Sequence, residues 1–201
     1  MLKKLSLGTK MVGGFVIVAV LCAVVAVVGI QKLKQLDEAD TMLYERMTVP
    51  LGQLTDISVS FQRVRVNLRD LGDAGNATER AKYAARIKEL RDQIDKSATE
   101  VQKSLFTDEG RGLFKAFTDS RAVYGPIMDR IMEFENAGKG AEAKALMMGD
   151  GAKAAAVEME AIDKLVDNKI ANAKKTSDEN TKLSNTGMTM MIVTASVCVL
   201  S

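Results

Sequence analysis

Residues 11–30 form an uncharged, almost wholly apolar run, and a second such run opens at Gly187 and reaches Ser201. A helix of about 20 apolar residues spans the hydrocarbon core of a bilayer. Two runs in one chain put the segment between them on a single side of the membrane, tethered at both ends. That segment must leave the bilayer and come back to it. Long helical elements between the runs must therefore be even in number.

Lys3, Lys4 and Lys10 precede the first run, and no acidic residue appears before Asp37. The positive-inside rule then keeps residues 1–10 in the cytoplasm, with 11–30 as the first transmembrane helix. Residues 31–186 lie outside, as a periplasmic domain of a multi-pass protein of the inner (plasma) membrane. A cleaved signal peptide also starts on a basic stretch, but its apolar core runs about 7–15 residues and this one is longer. Small residues at 23–26 lie within the run and not after it. The second run, GMTMMIVTASVCVLS, has 15 residues. That is short for an untilted crossing. Residues 187–201 are therefore read as the start of a second transmembrane helix that continues past Ser201 toward a cytoplasmic output domain.

Composition narrows the chemistry. The formal net charge is +2, so no basic face argues for nucleic acid as a partner. The chain has no His, which removes histidine triads, histidine zinc sites and imidazole acid–base catalysis. Its two cysteines, Cys22 and Cys198, sit one in each apolar run, where they serve as small apolar fillers. No cofactor, metal site or enzymatic activity is expected. Di-metal bundle sites use Glu-x-x-His pairs, which a chain without His cannot supply. Only Pro50 and Pro126 interrupt a composition rich in helix formers.

Within 31–186 the apolar residues repeat in heptads. Met47, Pro50, Leu54, Ile57, Phe61, Val64, Leu68 and Leu71 run at spacings of 3 and 4 in strict alternation. Leu33, Leu36 and Leu43 extend the stripe back toward the first run, so one rod is expected from about Lys10 to Ala74. Gly72 to Asn76 stops it. The second helix starts near Thr78 as N-cap, with Ala84, Ile87, Ile94, Ala98, Val101 and Leu105 inward. Arg91 falls where an apolar residue is due, and Leu90 takes its place. Thr107 or Asp108 caps a third helix whose stripe is Leu113, Phe117, Ser120, Tyr124, Ile127, Ile131 and Phe134, with a kink due at Pro126. Ala137 to Gly140 closes it. A short helical piece, 141–148, precedes a fourth helix read as Ala155, Met159, Ile162, Val166, Ile170 and Ala173. Glu158, Glu160, Asp163 and Asp167 to Lys169 read as its exposed charged face. Four long helices with short connections alternate in direction. The expected fold is all-α: an antiparallel up-down four-helix bundle continuous with two transmembrane helices.

The basic start MLKKLSLGTKMVGGF, the segment FQRVRVNLRDL and the stretch from AEAKALMMGDG to EAIDKLVDNKIANAKKTSDEN resemble the four-helix-bundle ligand-binding region of bacterial methyl-accepting chemotaxis proteins. The resemblance covers the whole chain. It implies a homodimer of bundles and a link, through a part beyond Ser201, to a cytoplasmic kinase–adaptor complex that controls chemotaxis. Some histidine kinases and diguanylate cyclases carry a similar module, and some bundles dock a periplasmic binding protein instead of a free ligand.

Two polar clusters stand against the heptads. Arg65 and Arg69 are four apart and share a helix face. Thr118, Arg121 and Tyr124 lie at i, i+3 and i+6 on the third helix. A guanidinium fork matches a carboxylate, and hydroxyls complete such a site. The resemblance implies the same chemistry, since relatives with this bundle bind small carboxylates through an Arg on helix one and an Arg-x-x-Tyr pair on helix three. Arg65, Arg69, Thr118, Arg121 and Tyr124 are therefore the candidate ligand-binding residues, for an organic acid or an amino acid. The rival reading of the arginines is surface solvation or ion pairing with Asp70, Asp73, Asp119 or acids on a neighbouring helix. That of Tyr124 is simple core packing.

Overall fold

The structure, a computed structural model, describes residues 6–200, and side chains as far as 196. Lys3, Lys4, Ser201 and the side chain of Cys198 lie outside the described residues. Six α-helices occur in order: α1 (Leu7–Leu43), α2 (Val49–Gly72), α3 (Ala77–Lys103), α4 (Asp108–Asn136), α5 (Gly140–Leu146) and α6 (Ala152–Leu200). Single π-turns at Tyr44–Thr48 and Met147–Gly151 join α1 to α2 and α5 to α6 without breaking the helical path. Helical structure thus follows the chain without interruption from Leu7 to Gly72. No strand occurs among the described residues.

The chain divides into two compact units, one of residues 1–43 with 174–201, the other Tyr44–Ala173. In the first, α1 packs on the C-terminal part of α6 through small residues. A Cβ at Gly29 would lie 3.4 Å from Met191 Sδ, and one at Gly187 would lie 3.5 Å from Lys32. Apolar side chains between Met11 and Ile30, such as Phe15, Ile17 and Val24, remain exposed.

The second unit is a four-helix bundle of α2, α3, α4 and the first part of α6. Its core is the heptad stripe made solid. All eight stripe residues from Met47 to Leu71 are buried. The six from Leu54 to Leu71 share one core with Ile87, Leu90, Ile94 and Val101 of α3, and Phe117, Tyr124 and Ile131 of α4. Each such side chain, taken fully from water, contributes about 1.5–3 kcal/mol. Leu90 does take the core place, while Arg91 turns its guanidinium to Asp129 at 2.6 Å.

The turns are set locally. Asn76, not Thr78, caps α3: its Oδ1 accepts from the Glu79 amide at 2.9 Å, and Glu79 Oε2 accepts from the Gly75 amide at 3.0 Å. This is a reciprocal box of the kind that satisfies a helix start. Thr107 Oγ1 caps α4 by accepting from the Gly110 amide at 3.0 Å. Gly138, at φ +73°, closes α4. Lys139 N–H donates to Phe134 O at 2.8 Å and Gly138 N–H to Glu135 O at 3.2 Å, the paired bonds of a Schellman stop. Helical structure runs unbroken through Pro126.

On α6 the structure departs from the sequence expectation. The inward stripe, which begins at Gly151 of the preceding π-turn, is Ala155, Glu158, Ile162, Leu165 and Lys169, all buried. Met159 and Val166 are half-buried, and Ile170 is 52% exposed. An apolar-only pattern rotated the face by about one residue, because the true line carries two charges. Replacing Leu165 by Ala should cost about 2–5 kcal/mol, as for other buried leucines. Replacing Ile170 by Ala should stay within about 0.5 kcal/mol, as for a surface site. Urea unfolding of the two variants checks this; equal losses would restore the rotated face.

Candidate functional site

The five candidate residues fall in two clefts. Between α2, α4 and α6 lies a cleft of about 280 Å³ lined by Gln62, Arg65, Arg69, Tyr124 and Met147. Between α3 and α4 lies another of about 720 Å³, lined by Asp95, Thr99, Arg111, Phe117, Thr118 and Arg121. The structure brings Arg65, Arg69 and Tyr124 together. It puts Thr118 and Arg121 on the other side of α4.

The two clefts differ in how their cations are used. In the larger one every cation is met by an acid. Lys115 pairs with Asp119 at 2.6 Å, and Arg111 pairs with Asp108. Arg121 reaches Asp95 with Nη2 at 2.6 Å and Glu158 with Nη1 at 3.2 Å, over the ring of Phe117. Thr118 is exposed and its hydroxyl donates to the Lys115 carbonyl at 2.8 Å. The smaller cleft is different. Arg65 has no carboxylate within ion-pair distance among the described residues. Its Nη1 donates to Gln62 Oε1 at 3.0 Å, and the guanidinium stands 6.0 Å from the centre of the Phe61 ring. Arg69 has only its sequence neighbour Asp70, at 3.8 Å.

Tyr124 forms the floor of the smaller cleft. It is buried edge-to-face on Phe61, with ring centres 5.9 Å apart. Burial pushes its hydroxyl up to about 12, with Arg65 pulling down and Glu158 pushing up. The group is therefore a neutral phenol at physiological pH, able to donate one hydrogen bond.

Two buried charged side chains escaped the apolar reading. Glu158 is buried and pairs with Arg121. Burial pushes its carboxyl up to about 7, against the pull of Arg121 and Arg91, with Asp95 adding to the rise. Lys169 is 2% exposed and has no carboxylate within ion-pair distance among the described residues. Its Nζ donates to Ser104 O and Ser104 Oγ, both at 2.9 Å, and to Arg46 O at 3.0 Å. Ser104 caps the C-terminus of α3, where a cation offsets the helix dipole. Pro50 has no N–H, so the Arg46 carbonyl four residues before it lacks its α-helical donor, and Lys169 supplies one. Burial first, and Arg46 second, lower the lysine to about 8. Both residues were legible in one respect. Positions 151, 155, 158, 162, 165 and 169 run at spacings of 4, 3, 4, 3 and 4 once charges are admitted to the stripe.

This is a helical bundle with a cleft whose two arginines have one carboxylate, Asp70, between them among the described residues. Residues 4–184 match the four-helix-bundle sensory module for signal transduction, and the chain belongs to that family. No curated protein matches it. The family is a signalling module and not a catalytic domain.

The Glu158 carboxyl gives a pH signature. Its folded value near 7 lies above the ordinary 4.5, so the folded state holds a proton there that the unfolded chain has released. The stabilisation is full below about pH 4.5 and is lost as pH rises through 7. It amounts to about 3 kcal/mol across that window. Thermal melts from pH 4.5 to 7.5 should fall in this way for the native chain, while Glu158→Gln should flatten that part of the profile.

Proposed function

We propose that the chain is the sensory half of a transmembrane chemoreceptor and that a small organic acid is its signal. The observation that carries this reading is the pair Arg65 and Arg69. One guanidinium without a carboxylate partner among the described residues and a second held only by its sequence neighbour Asp70, beside a neutral phenol with a hydrogen to donate, make a ready acceptor for an anion. A carboxylate would take the forks of the two arginines and the hydroxyl of Tyr124. Arg121 has another duty in this reading. Held by Asp95 and Glu158, it fixes α4 against α3 and α6 and so keeps Tyr124 in place.

The exposed apolar face of residues 11–30 supports insertion of α1 into a bilayer, since it is the described stretch long and apolar enough to cross one. With the second run as a further span, the bundle sits in the periplasm and works as a homodimer. Ligand then acts only through its affinity difference between two packings of the helices. The same bundle would serve equally as the input of a histidine kinase or a diguanylate cyclase, according to the output domain beyond Ser201. A bundle that docks a periplasmic binding protein would leave the arginine pocket unused.

One observation favours a second placement of the anion. The α3–α4 cleft is the larger, at about 720 Å³, and Arg111, Lys115 and Arg121 all line it. There a carboxylate would have to displace Asp95 from Arg121.

Calorimetry on the purified chain with a panel of mono- and dicarboxylates separates these readings. Arg65→Ala should weaken binding at least tenfold, while Arg121→Ala should lower the melting temperature more than the affinity. Loss of binding in Arg121→Ala alone would move the ligand to the larger cleft. No binding by any carboxylate would remove direct anion sensing.

A further inference from the structure

Arg69 and Met147 line two clefts at once. Beyond the arginine pocket they border a second space of about 460 Å³, whose other walls are Gly72, Asp73, Glu135, Gly140, Lys144 and Met148. At its base is Glu135, in the last turn of α4. This side chain is 9% exposed. Among the described residues its carboxylate accepts no hydrogen bond and has no cation within ion-pair distance, although Arg69 and Lys144 line the same cleft. Two glycines leave it room. A Cβ at Gly72 would stand 3.1 Å from Oε1, and one at Gly140 would stand 3.6 Å from Oε2.

Most of the side chain is buried, while its oxygens remain reachable from the cleft and have no protein partner among the described residues. A carboxylate so placed gains a charge-assisted hydrogen bond from a cation that enters the cleft. Asp73 lines the same space and adds a second acid. A buried acid with no internal donor calls for a cationic partner from outside. The arginine pocket next to it calls for an anion. The methionine wall shared by the two spaces suits an apolar spacer, since a thioether side chain adapts to what it meets.

We propose that the two clefts form one two-lobed site, and that its ligand is a zwitterion with separated charges: an ω-amino acid with an aliphatic spacer. The inference rests on the anion reading above. Arg65, Arg69 and Tyr124 take the carboxylate, Met147 covers the methylene chain, and Glu135, helped by Asp73, takes the ammonium group. Lys144 at the rim excludes ligands that are cationic at both ends. The site thus rejects diamines by charge and prefers the amino acid over the plain acid, which leaves Glu135 as it was.

The test is calorimetry on the full chain in lipid nanodiscs. The probes are glycine, β-alanine, 4-aminobutyrate, 5-aminopentanoate and 6-aminohexanoate, each beside the unaminated acid of the same length. One chain length should bind at least tenfold tighter than its unaminated match. Glu135→Gln should abolish that gain and leave the affinity for the plain acid unchanged, which also reports that the variant is folded. Asp73→Asn, at the cleft mouth, should reduce the gain several-fold. Arg65→Ala should weaken both ligands. If the plain acids bind through Arg65 and the amino group adds nothing, or if the gain survives in Glu135→Gln, the two-lobed site is wrong and the anion pocket stands. If the amino acids bind with no dependence on Arg65, or if neither series binds, both readings fall.

Discussion

Helix α6 buries two charged side chains on the stripe that it must turn inward, and the arrangement of the bundle depends on how each is satisfied. Glu158 meets Arg121 of α4, which in turn holds Asp95 of α3. Lys169 meets the end of α3 and the π-turn before α2. Between them, the two side chains tie α6 to every other long helix of the unit. Apolar burial supplies most of the stability, but it tolerates small rotations and slides. Hydrogen bonds to buried charges do not, because a mispaired ion is left desolvated. Specificity of packing and bulk stability therefore come from different residues here.

The same division separates structural arginines from those available to a ligand. Arg91 and Arg121 are half-buried and spend their charge inside the bundle, on Asp129, Asp95 and Glu158. Arg65 and Arg69 project from the opposite side of the core stripe, where α2 offers few acids. The surface pairs elsewhere, such as Lys88 with Asp92 or Lys164 with Glu160, are one turn apart on exposed faces. These contribute little and are screened by salt.

Much of this could be read from the chain. The alternating spacings of α2 identify its buried face apart from Ser60, and Gly138 marks the end of α4. Leu90 was recognisable as the substitute for Arg91. Heptad reading failed on α6 because it counts only apolar residues. Glu158 and Lys169 lie on the stripe for reasons located on other helices: Arg121 on α4, and carbonyls left open by Ser104 at a helix end and by Pro50. Such partners are distant in sequence, so no local pattern announces them. The candidate site divided for a related reason. Tyr124 and Arg121 are three apart on α4 and share a face only loosely. One ring drops into the core toward Phe61 while the guanidinium leans to α3. Glu135 was invisible altogether, since a lone acid near a helix end has no sequence signature.

The contact made by Lys169 has a mechanical side. Its three oxygen partners sit on two other segments, all within 3.0 Å of one nitrogen. A shift of α6 by a single residue is about 1.5 Å along its axis. A slide of that size weakens all three bonds together, since they share one nitrogen. The helix is thus indexed, like a shaft held by a ball catch that resists a slide in either direction.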